Sequence, residues 1–365
     1  MFDRRLVVNF DWILLLAVCV LAGIGILNLY SATANWHQST APIYMKQLIW
    51  LGGGLLLVSL ICCFDYRHLE HFAFLGYIVT LGMLVFVLVM GKTSMGATRW
   101  INLGFFNLQP SEVIKIIMII LLARIFGRTA QPEGFTLSEL WQPALLLLLP
   151  VGMILKQPDL GTALMLVFIS VSMLIFAGLR RSTFWSLFLL GLVTAVVGWF
   201  GLHDYQRARI QTFLNPEADP LGSGYHIIQS KIAVGSGGFF GKGFLQGTQS
   251  QLSFLPERHT DFAFSVFAEE WGFFGCSLLL FGYMFLILWG LYIARRAADR
   301  FGMFLAIGVT AMIFWHIVVN LGMVIGLLPV VGVPLPLFSY GGTSMVTTMI
   351  GVGLLMNVSM RRFMF

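Results

Sequence analysis

Apolar runs of bilayer-crossing length recur along nearly the whole chain, and they restrict it to one class of fold. A helix needs about 20 consecutive apolar residues to cross the hydrocarbon core. Without water there, its backbone N–H and C=O groups must be satisfied internally. Reading the runs between polar breaks predicts ten spans, near residues 12–30, 47–63, 72–90, 111–127, 142–156, 160–178, 183–201, 263–293, 302–328 and 341–359. Composition agrees: 58% of the 365 residues are hydrophobic, 10% are charged, and mean hydropathy is +0.87, against about 25% charged in soluble domains. A soluble protein is excluded. The expected fold is an all-α polytopic membrane protein of about ten transmembrane helices. It is a single domain over 1–365, with one long loop at 202–262 containing short interfacial helices.

The first run, from Trp12 to about Leu29, is long enough to span and is followed by no small-residue cleavage site, so it is expected to stay as the first span. The fifth predicted span is short and abuts Gln157-Pro158-Asp159. Spans five and six are therefore expected to form a tight helical hairpin rather than two independent crossings. Cys19, Cys62, Cys63 and Cys276 fall inside apolar runs and read as small buried hydrophobes.

Arginine placement orients the bundle. With the N-terminus inside, the inner segments hold Arg4, Arg5, Arg67, Arg124, Arg128, Arg180, Arg181, Arg295, Arg296, Arg300, Arg361 and Arg362. The short outer loops and span ends hold Lys46, Lys92, Arg99, Lys115 and Lys156. By the positive-inside rule both termini are cytoplasmic and the 202–262 loop, with His203, His226 and His259, is extracytoplasmic. The net charge of +6 reads as this topology signal, with membrane lipids as neighbours and no nucleic-acid partner.

Chemistry has to be sought in the long loop, because loops of that length without function are uncommon. Residues 222–231 read as a turn leading into a short helix from Tyr225. The glycine-rich run from Gly235 to Gly243 is weak as a nucleotide loop, having no preceding strand and no Walker spacing; it reads as a flexible turn, or as a backbone cradle for phosphate. The segment from Phe254 to Phe262 places carboxylates beside cations at the membrane edge. There Asp261 either caps the helix that follows or serves chemistry. Glu112 and Lys115, inside a span and three residues apart, share a helix face and suit either a structural pair or a substrate contact. Glu269 and Glu270 lie about two turns into the helix after Asp261, and at least one is expected to face the bundle interior. Asp159 reads as a helix cap or as support for the site.

Through Gln109-Pro110-Ser111-Glu112, Gln157-Pro158-Asp159-Leu160-Gly161-Thr162, the Asp219 to Tyr225 motif, the 254–262 segment and Pro334 to Gly342, the chain resembles the SEDS family of bacterial cell-wall polymerases over essentially its whole length. The stretch from Gly247 to Leu252 is more similar to the elongation branch of that family than to the division branch. The resemblance implies peptidoglycan glycosyltransfer from lipid II in the bacterial inner membrane during elongation and cell-shape maintenance. It implies a loop aspartate as the essential residue, which maps onto Asp261, and a paired Glu and Lys mapping onto Glu112 and Lys115. Its implied partners are lipid II, undecaprenyl-linked glycan and a class B penicillin-binding protein.

Given that activity, an α-linked donor and a β-linked product mean one inverting displacement. It needs a base for the attacking hydroxyl and no nucleophilic carboxylate. Asp261 is the expected base. Arg207, Arg209, Lys231, Lys242 and Arg258 are expected to neutralise the departing pyrophosphate, with Glu257 and His259 beside them. A divalent cation, Mg2+, is expected to share that task, its ligands unassigned by sequence. A lipid II flippase would instead gather polar groups near the bilayer midplane between repeats. A non-catalytic scaffold for the penicillin-binding protein would tolerate loss of Asp261.

Overall fold

The computed structural model describes residues 9–34, 42–94, 97–102, 104, 107–129, 131, 133–201, 204–219, 223–252 and 254–362. Arg4, Arg5 and His203 lie outside them. Ten long helices follow the predicted runs: α1 (Trp12–Ala32), α2 (Ile43–Cys63), α3 (Arg67–Met90), α4 (Pro110–Arg128), α5 (Trp141–Lys156), α6 (Leu160–Ala177), α7 (Arg181–Gly201), α11 (Ala263–Arg295), α12 (Arg300–Val324) and α13 (Gly342–Met360). Between α7 and α11 stand the shorter α8 (Asp204–Leu214), α9 (Ser223–Ser236) and α10 (Thr248–Gln251). Among the described residues nine helical segments are long and apolar enough to cross a membrane. The tenth, α4, falls short because it carries Glu112, Lys115 and Arg124 within its length.

One expectation changes, and one small element is added to the expected helical fold. The fifth span is not short: a 3-10 turn at Leu137–Leu140, closed by a Thr136/Glu139 capping box, runs into α5 and gives a 20-residue segment able to cross by itself. The fold is also not purely helical. Between α3 and α4 the strands β1 (Lys92–Ser94), β2 (Ala97–Asn102) and β3 (Asn107–Leu108) form a small antiparallel sheet in the order β1-β2-β3. Strands this short carry too little alternation to stand out from a polar loop.

Helices α12 and α13 form the interior, with 78% of each spanning window buried, whereas the window of α7 is 6% buried and lies at the periphery. The segment joining α12 to α13 is irregular yet buried, with Leu335, Leu337 and Phe338 at most 2% exposed. Irregular backbone at such depth survives only where protein donors replace water. Tyr283 donates its hydroxyl to the Pro336 carbonyl at 2.7 Å and Gln47 its amide to the Ser339 carbonyl at 3.0 Å. At Gly25 of α1 a Cβ would stand 2.6 Å from the Phe338 Cα, so only glycine lets α1 reach this segment.

Helix α11 breaks at Gly272, whose φ of 61° and ψ of −162° are not helical. The break strands helical donors and acceptors on either side, and the glycine-rich run supplies their partners. Lys242 and Gly243 donate their N–H groups to the carbonyls of Glu269 and Glu270, while Phe273 and Phe274 donate to Gly238 and Phe239. The phosphate-cradle reading of this run is therefore corrected, because Gly241, Lys242 and Gly243 have their N–H groups committed to carbonyls.

Candidate active site

The Asp261 loop is fixed from both ends. Leu255 is buried at its start, and Glu257 turns the chain back with φ +48°, in the left-handed region. The turn is closed by Thr260 N–H to the Glu257 carbonyl at 3.1 Å and by the Thr260 hydroxyl to Glu257 Oε2 at 2.9 Å. Phe262, 2% exposed, stacks on His226 with ring centroids 6.1 Å apart and anchors the far end. Helix α11 then begins with Phe262 as N-cap and no side-chain cap hydrogen bond, so Asp261 does not cap it. Its carboxylate lies against Gly332, where a Cβ would sit 3.5 Å from Oδ2.

Burial raises the Asp261 carboxyl from 3.8 to about 6; Glu257 pushes the same way and Arg209 opposes. The result is a carboxylate poised near neutrality, stronger as a base than a solvated aspartate. His259 is held below the usual imidazole range by burial, so it stands as a neutral ring. Its backbone carbonyl accepts from Tyr340 N–H at 2.9 Å, tying the loop to the α12–α13 segment.

The basic residues divide. Arg209 of α8 has electrostatic reach to Asp261. Lys231 of α9 lies over Gly326, where a Cβ would meet its Cε at 2.0 Å. Lys242 instead pairs at 2.7 Å with the fully buried Glu269, which also accepts from the Thr248 hydroxyl and the Gln249 N–H and so organises the loop. Arg258 is buried and donates to the Ser250 carbonyl, while Arg207 donates to the Phe200 carbonyl at 2.9 Å. Glu270, also buried, is bound by the Ser31 hydroxyl of α1.

Glu112 and Lys115 pair at 2.7 Å, and a third residue completes them: Lys115 Nζ lies 2.9 Å from His316 Nε2. His316 Nδ1 is 2.7 Å from the Met312 carbonyl, which can only accept, so Nδ1 carries the proton and Nε2 accepts from the lysine. Asp159 is the N-cap of α6, accepting from Thr162 N–H at 3.3 Å. It is also a junction, taking the Thr162 hydroxyl at 2.9 Å and the Gln109 amide at 3.2 Å, with Arg99 at 3.8 Å. Arg99 further donates to the Gln157 and Pro158 carbonyls, pinning the sheet to the α5–α6 turn.

His316 and Asn320 were not expected from the sequence. Asn320, 0% exposed, donates both amide hydrogens, to the Asp261 carbonyl at 3.0 Å and the Val333 carbonyl at 2.8 Å. The two residues stand one turn apart on one face of α12, which thereby joins the buried trio to the Asp261 loop. The available signal was a pair of polar residues four apart within an apolar run. Asn320→Leu strands two buried carbonyls and is expected to destabilise the protein by about 2–6 kcal/mol. An unchanged unfolding temperature in detergent would show that the clamp contributes nothing.

Comparison with known proteins places these features in context. The model of the FtsW/RodA/SpoVE family, described as cell cycle protein, matches residues 11–363. The peptidoglycan glycosyltransferase MrdB of Escherichia coli K12 is 43% identical over 341 residues, covering 93% of this chain and 92% of that protein. The peptidoglycan glycosyltransferase RodA of Treponema pallidum is 35% identical, covering 98% and 99%. Among solved structures, a chain of a peptidoglycan synthase complex coordinating polymerization and crosslinking superposes with a TM-score of 0.83 at 36% identity, covering 98% of this chain and 99% of that one. The rod shape-determining protein RodA of Thermus thermophilus superposes at 0.71 with 32% identity, covering 97% and 98%.

Proposed function

This chain belongs to the FtsW/RodA/SpoVE family and is a multi-pass membrane peptidoglycan glycosyltransferase; from that premise we propose that it polymerises lipid II with Asp261 as general base. The observation that carries the assignment is the Asp261 carboxylate itself: desolvated, raised to about 6, not used as a cap, and held by its backbone to Asn320. The acceptor's sugar hydroxyl attacks the anomeric carbon of the donor and gives its proton to Asp261. The bond to the undecaprenyl pyrophosphate breaks in the same displacement, with inversion. The donor carries the activation, so no nucleotide is needed. Arg209 and Lys231 are the cations we assign to the departing pyrophosphate, since Lys242, Arg258 and Arg207 are engaged with the protein.

Mg2+ binds through one or two carboxylates together with phosphate oxygens and water. Glu257 fits as that carboxylate, because its Oε2 takes the Thr260 hydroxyl and its other oxygen has no hydrogen-bond partner among the described residues. When bound, the ion would neutralise pyrophosphate charge. The arginine distribution supports cytoplasmic termini and an extracytoplasmic 202–262 loop. The likeness to a chain of a synthase complex that couples polymerization to crosslinking supports a class B penicillin-binding protein as partner, and the likeness to a rod shape-determining protein supports a role in elongation.

The test is to incubate the purified protein, with and without such a partner, with lipid II and Mg2+, and to resolve the products on a gel. Glycan polymer is expected from the wild type; its absence under both conditions would favour transport or scaffolding. The rate should also depend on pH. A base with a raised carboxyl pKa is lost as pH falls through that value, so kcat/KM is expected to fall about tenfold per unit below pH about 6. A rate still flat at pH 5 would remove Asp261 from the role of base.

A further inference from the structure

On the face opposite Asp261, the ends of three helices enclose a cleft of about 470 Å3 lined by Arg67, Glu70, His71, Arg128, Asp299 and Arg300. Connectivity sets its depth. Arg67 begins α3, Arg128 ends α4 and Arg300 begins α12, so the three guanidinium groups share one membrane-edge plane. The carboxylates hold two of them from the protein side: Asp299 Oδ2 takes Arg67 Nε at 3.0 Å, and Glu70 Oε1 takes Arg128 Nε at 2.6 Å. Asp299 is itself fixed by the Tyr66 hydroxyl at 2.7 Å and the Gly302 N–H at 2.6 Å. The terminal nitrogens of Arg128 and the whole guanidinium of Arg300 have no partner among the described residues.

We propose that this cleft is a binding site for the headgroup phosphate of an anionic phospholipid. Arginine suits a phosphodiester because its terminal nitrogens bind two oxygens in parallel. Basic pockets between transmembrane helices recognise anionic headgroups in this way. The choice of a lipid over a soluble anion rests on the flank of the cleft: on α3, beside Arg67 and His71, Phe72 and Leu75 are 63% and 58% exposed and offer an apolar surface for acyl chains at the depth the headgroup requires. The site stands apart from the Asp261 loop and does not depend on its chemistry.

Native mass spectrometry of the full chain in mild detergent, titrated with phosphatidylglycerol or phosphatidylcholine, tests this. The wild type is expected to retain phosphatidylglycerol in preference. In the Arg128→Ala/Arg300→Ala double variant the apparent affinity should fall about 30-fold. Both side chains are exposed and the Arg128–Glu70 pair is a surface pair, so the fold should survive. Glu70→Gln, which removes a negative charge from the cleft, should tighten phosphatidylglycerol binding, an effect that structural damage would not produce. Equal retention by wild type and double variant, no preference between the two lipids, or displacement of phosphatidylglycerol by an equal concentration of inorganic phosphate would each overturn the proposal.

Discussion

Asp261→Asn is expected to reduce glycan polymerisation by about 10²- to 10⁴-fold, the range over which a positioned general base acts, while making the protein more stable. The two effects follow from one cause. Burial and the neighbouring Glu257 raise the carboxyl from 3.8 to about 6 in the folded state. A group whose folded pKa lies above its unfolded value binds its proton more tightly when folded, so the ionised form costs stability at every pH above about 6. At neutral pH that cost is up to about 3 kcal/mol, at 1.36 kcal/mol per unit, and an uncharged amide of the same shape removes it. Because the Asp261 side chain caps nothing, no compensating hydrogen bond is lost. Gel-resolved polymer and the unfolding temperature, measured on the same preparation, check both halves. An inactive variant that also melts earlier would mean that Asp261 holds the loop together; an active one would end its assignment as the base.

Lys115→Met carries the second large effect, on folding. Lys115 is 1% exposed and lies between Glu112 Oε1 and His316 Nε2. The other Glu112 oxygen has no hydrogen-bond partner among the described residues. Removing the ammonium leaves a carboxylate without its counter-charge and an imidazole without its donor, inside the bundle. Breaking a buried pair from one side typically costs about 3–5 kcal/mol, a large share of a total stability of about 5–15 kcal/mol. Glu112→Gln/Lys115→Met should recover much of that loss, since it leaves no unpaired charge. Unfolding temperatures of the two single variants and the double variant form a cycle. If the double variant loses the sum of the single losses, the pair is not coupled.

The helices and the loop were legible from residues alone because lipid permits so few solutions. An apolar run of span length has little choice but a helix, and ten such runs became ten helices. The motif around Asp261 was legible as well, since its carboxylates and cations stand together in nine consecutive residues. The β1–β3 sheet was not, because its strands are held by pairing with one another and by Arg99 reaching the α5–α6 turn, contacts that leave no periodic trace. Nor could sequence divide the basic residues. Lys242 and Arg258 look as available as Arg209 until Glu269 and the Ser250 carbonyl are seen to hold them.

By itself, then, the amino-acid sequence determined a helical membrane bundle with one long polar loop and a carboxylate at the loop's edge, because hydropathy and covalent neighbourhood are local properties. Only the tertiary structure decided what that carboxylate is. Its raised pKa comes from burial, from Glu257 across a left-handed turn and from the distant Arg209, and its position from Asn320, which lies on a helix 59 residues further along. Proton affinity and orientation depend on what surrounds a group in space, and that is settled only when the chain folds.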